Sequence, residues 1–173
     1  MSNASFRVML LLLDIIDFFY PHVARRAKRF GITEGMIVVD YGCGPGRYTV
    51  NFAALAGEGG EVYALDIHDL AIDTVRKRIA RRKLRNVHPI LIEGYNSTLS
   101  DETADVVCAI DMFFIIKNSA AFLAEIKRIV KRNGILVIDD GHQPRSVTKQ
   151  KISDSGLWDI FEETSDHLKC RVR

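Results

Sequence analysis

The chain has 173 residues, which is room for one domain, and 47% of them are hydrophobic, enough for a sizeable core. A net charge of only +2 excludes the strong field that would bring nucleic acid or a membrane surface to the protein by charge alone. Three cysteines (Cys43, Cys108, Cys170) lie far apart with no C-x-x-C pair, which excludes a disulfide frame or a cysteine zinc site and fits reduced thiols in a cytoplasmic protein.

The first predicted element is a helix over Ser5–Tyr20, with Ser5 as N-cap. Phe6, Met9, Leu10, Leu13, Ile16 and Phe19 give it a broad apolar face, and Leu11, Leu12, Ile15 and Phe18 widen that face. A helix apolar nearly all round is buried or covers a partner. The run Val8–Leu13 is broken by Asp14 and followed by Asp17, too short and too charged for a bilayer span of about 20 apolar residues. No small-residue cleavage site marks a secretory signal, so a soluble, cytoplasmic protein is expected. Pro21 opens a second helix in which Val23, Ala27 and Phe30 form one stripe, while Arg25, Arg26, Lys28 and Arg29 face water and Gly31 is the C-cap. Residues 1–32 are expected to form a helical cap, serving as a lid, a membrane contact or the surface of a homodimer; a monomer is the other expectation.

Met36–Asp40 reads as a buried strand, followed by a glycine turn (Gly42, Gly44, Gly46) and a helix over Arg47–Ala56 stopped by Gly57. Strand, glycine turn and helix bring backbone N–H groups and a helix N-terminus against a nucleotide-type ligand. Glu61–Asp66 is a second strand that ends in an acid, twenty residues after Gly46. A carboxylate at that strand tip can accept both hydroxyls of a ribose. The next helix runs from Asp69 to about Leu84 with Ile72, Val75 and Ile79 buried. Its many basic residues read as a solvated face, because no aromatic residues interleave them for stacking on bases; no nucleic-acid partner is expected.

Strand His88–Ile92 leads into an eleven-residue loop, Glu93–Thr103, long enough in a compact domain to suggest a function. Strand Asp105–Ile110 ends at Asp111. Asn118 caps a helix over Ser119–Arg132 that buries Phe122, Ile126, Ile129 and Val130 and is ended by Asn133-Gly134. Strand Ile135–Asp139, a weak helix over Ser146–Ser155, and an antiparallel hairpin of Leu157–Glu163 and His167–Val172 complete the chain. Alternating strands and helices imply an α/β, doubly wound, mostly parallel sheet with helices on both faces. The nearly all-apolar runs MIVVD, VVCAID and ILVID suit strands covered on both sides.

The glycine pattern D-x-G-x-G-x-G beginning at Asp40 and the second strand EVYALD ending at Asp66 resemble the class I S-adenosylmethionine-dependent methyltransferases. A dinucleotide fingerprint, G-x-G-x-x-G, would need a glycine where Arg47 stands. The resemblance covers residues 33–173, read as one cofactor-binding domain, and is closest to small single-domain members acting on metabolites or lipids. It implies seven strands in the order 3-2-1-4-5-7-6, the last antiparallel, and S-adenosylmethionine as cofactor. Ligands of such sheets bind beyond the strand tips where strand order reverses, here near Asp40, Tyr41, Asp66, Ile67, Asp111, Met112 and Phe113. By resemblance, Gly42, Gly44 and Gly46 cradle the methionine part, Asp40 helps position its amino group, Asp66 takes the ribose hydroxyls and Ile67 packs on the adenine. The family's usual adenine-reading acid after the third strand is replaced by Gly94-Tyr95-Asn96, where the Asn96 amide oxygen is the available acceptor.

Methyl transfer from a sulfonium is an in-line displacement, so positioning alone can supply on the order of 7–11 kcal/mol of the barrier reduction. The absence of a Ser/His/Asp set therefore does not argue against activity. If the acceptor must lose a proton, Asp111, His142 and Tyr48 are the candidate bases; no catalytic residue is assigned. Asp139-Asp140 with His142 is an incomplete set for a divalent ion, so no metal is expected. Met112–Ile116 is apolar and forms either a greasy acceptor pocket or core packing. The leading expectation is methyl transfer to a small, partly apolar acceptor. The alternatives are a cofactor-binding subunit without catalysis, and an oxidoreductase on the same architecture, against which Arg47 argues.

Overall fold

A computed structural model describes residues 22–173; the helix expected over Ser5–Tyr20, and the start of the second helix at Pro21, lie outside the described residues. In chain order the elements are α1 (His22–Ala27), β1 (Ile37–Tyr41), α2 (Thr49–Ala56), β2 (Glu61–Asp66), α3 (Asp69–Arg82), β3 (Val87–Leu91), β4 (Ala104–Ala109), α4 (Ser119–Ile129), β5 (Val130–Ile138), α5 (Arg145–Ser155), β6 (Trp158–Glu163) and β7 (Leu168–Val172). A short 3-10 turn at Phe113–Ile115 follows β4. None of the described helices is long and apolar enough to cross a membrane.

The seven strands form one sheet in the order β3-β2-β1-β4-β5-β7-β6. Strands β1 to β5 pair in parallel, and β7 runs antiparallel to both β5 and β6. Strand order reverses between β1 and β4, whose register sets Asp40 opposite Cys108. Two layers of apolar side chains cover the sheet. On one face Phe122, Leu123 and Ile126 of α4 and Ile152 of α5 pack with Leu65, Val107 and Trp158. On the other, Ala27 of α1, Phe52 of α2 and Ile72 and Val75 of α3 pack with Phe30, Val38 and Val106. Pro89 is tolerated within β3 because that strand is the sheet edge. The three thiols are free and buried.

Two local expectations are corrected and one is filled in. The helix before β5 stops at Ile129, not Arg132, and Asn133-Gly134 lies inside the strand. Val130, a β-branched residue, pairs with Ala104, and the register then shifts so that Ile135 faces Val106. Gly134 is required at this bulge, because a Cβ there would lie 2.9 Å from the carbonyl oxygens of Ala104 and Asp105. The loop Glu93–Thr103 is tied down: Ser97 N and Oγ donate to Glu125 Oε1 at 2.9 and 2.6 Å, and Arg128 Nη1 donates to Leu99 O at 2.7 Å. Finally, Arg26 does not face water; its side chain is only 15% exposed and reaches Asp139, 113 residues away in sequence.

Candidate functional site

The parallel strands deliver their carboxyl ends to one side of the sheet, and a cavity of about 240 Å3 opens there beside β1, β2 and β4. Of the sequence-predicted residues, Tyr41, Gly42, Asp66, Ile67, Tyr95 and Asp111 lie on its wall, together with Met112. His68, Ile92, Gly94, Ile115 and Ile116 also line it and were not singled out for binding. Ile115 and Ile116 belong to the apolar stretch flagged as pocket or core, and Ile115 is 64% exposed at the mouth. His68 could have been found by its place two residues beyond the β2 acid.

Asp66 is the best-defined polar group of the wall. Its Oδ2 accepts from Gly44 N and its Oδ1 from His68 N, each at 2.9 Å. Each carboxylate oxygen has a second lone pair, so Asp66 fixes the glycine turn and keeps acceptor capacity for a ligand. The turn is held from beneath as well, since Gly42 N and Cys43 N both donate to Leu65 O, at 2.8 and 2.9 Å. At Gly42 (φ +75°) a Cβ would come 3.0–3.3 Å from the Met112 side chain. That position needs glycine for its conformation and its close approach. A Cβ at Gly44 would meet no atom within 4 Å, so this part of the turn faces open space. Gly46 instead serves packing, with a Cβ there falling 2.9 Å from Val75 Cγ2.

Asp40, Gly44, Gly46 and Asn96 are not among the residues that line the cavity. Asp40 is buried behind the turn and its Oδ2 accepts from Thr49 Oγ1 at 2.5 Å. Burial pushes its carboxyl up to about 7, against the Thr49 hydrogen bond, and the neighbouring Asp66 charge adds to the rise. Asn96 uses its Oδ1 to accept from Thr98 N at 3.0 Å, within its own turn. Tyr95 contributes backbone as well as ring: its carbonyl accepts from Tyr41 Oη at 2.5 Å.

Of the candidate bases only Asp111 lines the cavity. Asp111 is on the wall, in the left-handed region at φ +57°, a conformation uncommon for a residue with a Cβ. His142 is exposed, sets its ring edge-on to Phe114 at 4.9 Å and is not among the lining residues. Tyr48 Oη accepts from Arg26 Nη1 at 2.8 Å, and burial pushes its hydroxyl up to about 12. Among the described residues no group of three or more His, Cys, Asp or Glu is arranged to hold a metal ion.

A family model described as a methyltransferase domain matches residues 32–168. The chain is 29% identical over 117 residues to a demethylmenaquinone methyltransferase of Geobacillus sp. (strain WCH70), covering 68% of this chain and 50% of that protein. It is 26% identical over 155 residues to a ubiquinone/menaquinone biosynthesis C-methyltransferase of Shewanella pealeana, covering 83% of this chain and 59% of the relative. The chain thus spans about half the length of these curated relatives. Among solved structures, a SAM-dependent methyltransferase from Aquifex aeolicus superposes with a TM-score of 0.74 at 25% identity, covering 87% of this chain and 88% of that one.

Proposed function

The chain belongs to the methyltransferase-domain family of class I, S-adenosylmethionine-dependent type, and from that premise we propose that it transfers a methyl group from S-adenosylmethionine to a small, partly apolar acceptor. The observation that carries this reading is the Asp66 carboxylate on the cavity wall, locked by Gly44 N and His68 N beside a turn whose Gly42, at positive φ, packs closely on Met112.

The donor set fits an adenosyl group. Asp66 accepts the ribose hydroxyls with its remaining lone pairs. Ile67 and Ile92 give the base apolar contact, and the backbone of Gly94 and Tyr95 borders its edge. A volume of about 240 Å3 is below the roughly 300–1,000 Å3 of drug-sized ligand sites and suits the nucleoside half. The methionine half then lies along the open side of the turn at Gly44, with Asp40 behind it. When bound, the sulfonium supplies an activated methyl group and a good leaving group. The chain's own residues orient the donor, exclude water and, where the acceptor needs it, take a proton at the Asp111 carboxylate. The exposed Ile67 and Ile115 at the mouth favour an apolar acceptor face. The quinone-pathway relatives support a ring-bearing acceptor methylated at carbon.

S-adenosylhomocysteine is expected to raise the melting temperature, and Asp66→Ala to remove most of that shift. A wild-type melting temperature unmoved by millimolar S-adenosylhomocysteine would overturn the reading.

A further inference from the structure

Arg26 precedes the family match, which begins at residue 32, yet its side chain reaches three separate parts of the fold near the site. Its guanidinium lies 5.8 Å from the centre of the Phe30 ring and 5.9 Å from that of Tyr48. Nη1 donates to Tyr48 Oη at 2.8 Å, two residues past the glycine turn. Nη2 donates to Asp139 Oδ2 at 2.7 Å, just beyond β5. Nη2 also donates to the Asp166 carbonyl in the β6–β7 turn, and Nε is 3.4 Å from Asp166 Oδ2. One planar fork thus ties α1 to three separate parts of the fold.

The Asp139 contact leads into the cavity. Its other oxygen, Oδ1, accepts from the backbone N–H of Asp111 at 2.9 Å. Asp111 is the wall residue held at φ +57°, and such a conformation persists only where its surroundings impose it. The Asp139 side chain is 4% exposed, so without Arg26 it is a buried carboxylate with its charge uncompensated. It would then have to protonate, which leaves Oδ1 a weaker, uncharged acceptor, or turn toward water, which takes Oδ1 away from Asp111 N; either change loosens the hold on Asp111.

We propose that Arg26 is a positioning residue for the cofactor site: through Asp139 it holds Asp111 and the following Met112 against the glycine turn, so that the cleft between β1 and β4 is formed before ligand arrives. This rests on the function proposed above. It assigns to the segment before the family match a role in shaping the donor site rather than only in covering it.

The test compares the wild-type chain with Arg26→Met and Arg26→Lys. Amide hydrogen exchange is followed in the ligand-free proteins, and S-adenosylhomocysteine affinity by calorimetry. Arg26→Met is expected to speed exchange at the Asp111–Ile116 segment at least tenfold while β1 and β4 stay protected, and to weaken S-adenosylhomocysteine at least tenfold. Arg26→Lys, which restores charge but not the fork, is expected to recover exchange and affinity only in part; it also serves if Arg26→Met fails to fold. If either folded variant shows wild-type exchange at 111–116 and wild-type affinity, the positioning role is wrong. A uniform loss of protection across the sheet would equally overturn it, in favour of a purely structural arginine. Failure of the wild type itself to bind S-adenosylhomocysteine would instead sink the proposed function and leave the exchange result to decide the Arg26 linkage alone.

Discussion

Asp40 shows how one side chain can work against the stability of its own fold. Its carboxyl titrates near 7 in the folded protein because burial disfavours the charged form, against 3.8 for a free side chain. Between about pH 4 and pH 7 the folded state therefore holds a proton that the unfolded chain has lost, and this residue's contribution to stability falls as pH rises through that window. Asp40→Asn removes the titration. The variant is expected to gain on the parent from pH 4 to pH 8, by on the order of 4 kcal/mol, read as the change with pH in the difference between their urea unfolding free energies. Asp139, which burial pushes up to about 6, is present in both proteins and cancels from that comparison. A difference that stays constant with pH would mean that Asp40 is charged throughout. The place of Asp66 on the cavity wall was legible in the sequence because an acid at a strand tip, a fixed distance past a glycine turn, is a local pattern. The role of Arg26 was not, since its partner Asp139 is 113 residues away and the helical stripe of Val23, Ala27 and Phe30 gave no sign that its neighbour turns inward.

At the scale of elements, the strands were legible wherever an apolar run ended in an acid, as at Asp40, Asp66 and Asp111. The end of α4 was not. Asn133-Gly134 has the composition of a helix stop, but pairing of Val130 with Ala104 pulls these residues into β5. Tertiary pairing outweighs local propensity there. Gly134→Ala is expected to cost about 1–3 kcal/mol through crowding against Ala104 O, Asp105 O and Val130, measured by chemical denaturation. It should leave the S-adenosylhomocysteine thermal shift in place, because the bulge is at the opposite end of the strands from the cavity. The loop Glu93–Thr103 was expected to be functional by its length. Gly94 and Tyr95 do line the cavity, whereas Ser97 and Leu99 are bonded to Glu125 and Arg128 of α4 and hold the loop's course.

For the molecule as a whole, alternation of strands and helices indicated the doubly wound class, but the strand order came from family resemblance. Periodicity cannot show that β1 pairs with β4, which begins 67 residues later than β1 does. Nor does size find the site. Hollows of about 560 and 470 Å3 lie at the amino ends of the strands, larger than the one at the carboxyl ends, the side on which open α/β sheets in general take their ligands. The three buried thiols sample this architecture at separate depths: Cys43 in the glycine turn, Cys108 in β4 and Cys170 in β7. Burial raises all three above the ordinary thiol range, and an alkylating reagent needs both thiolate and access. Iodoacetamide should consequently trap each sulfur only when its surroundings open, giving a clock for three regions in one native protein. Saturation with S-adenosylhomocysteine at a hundred times its dissociation constant should slow the Cys43 clock about 100-fold, and mass-resolved labelling would read it. Three sulfurs captured in step, with or without that compound, would mean that the chain breathes only as a single unit.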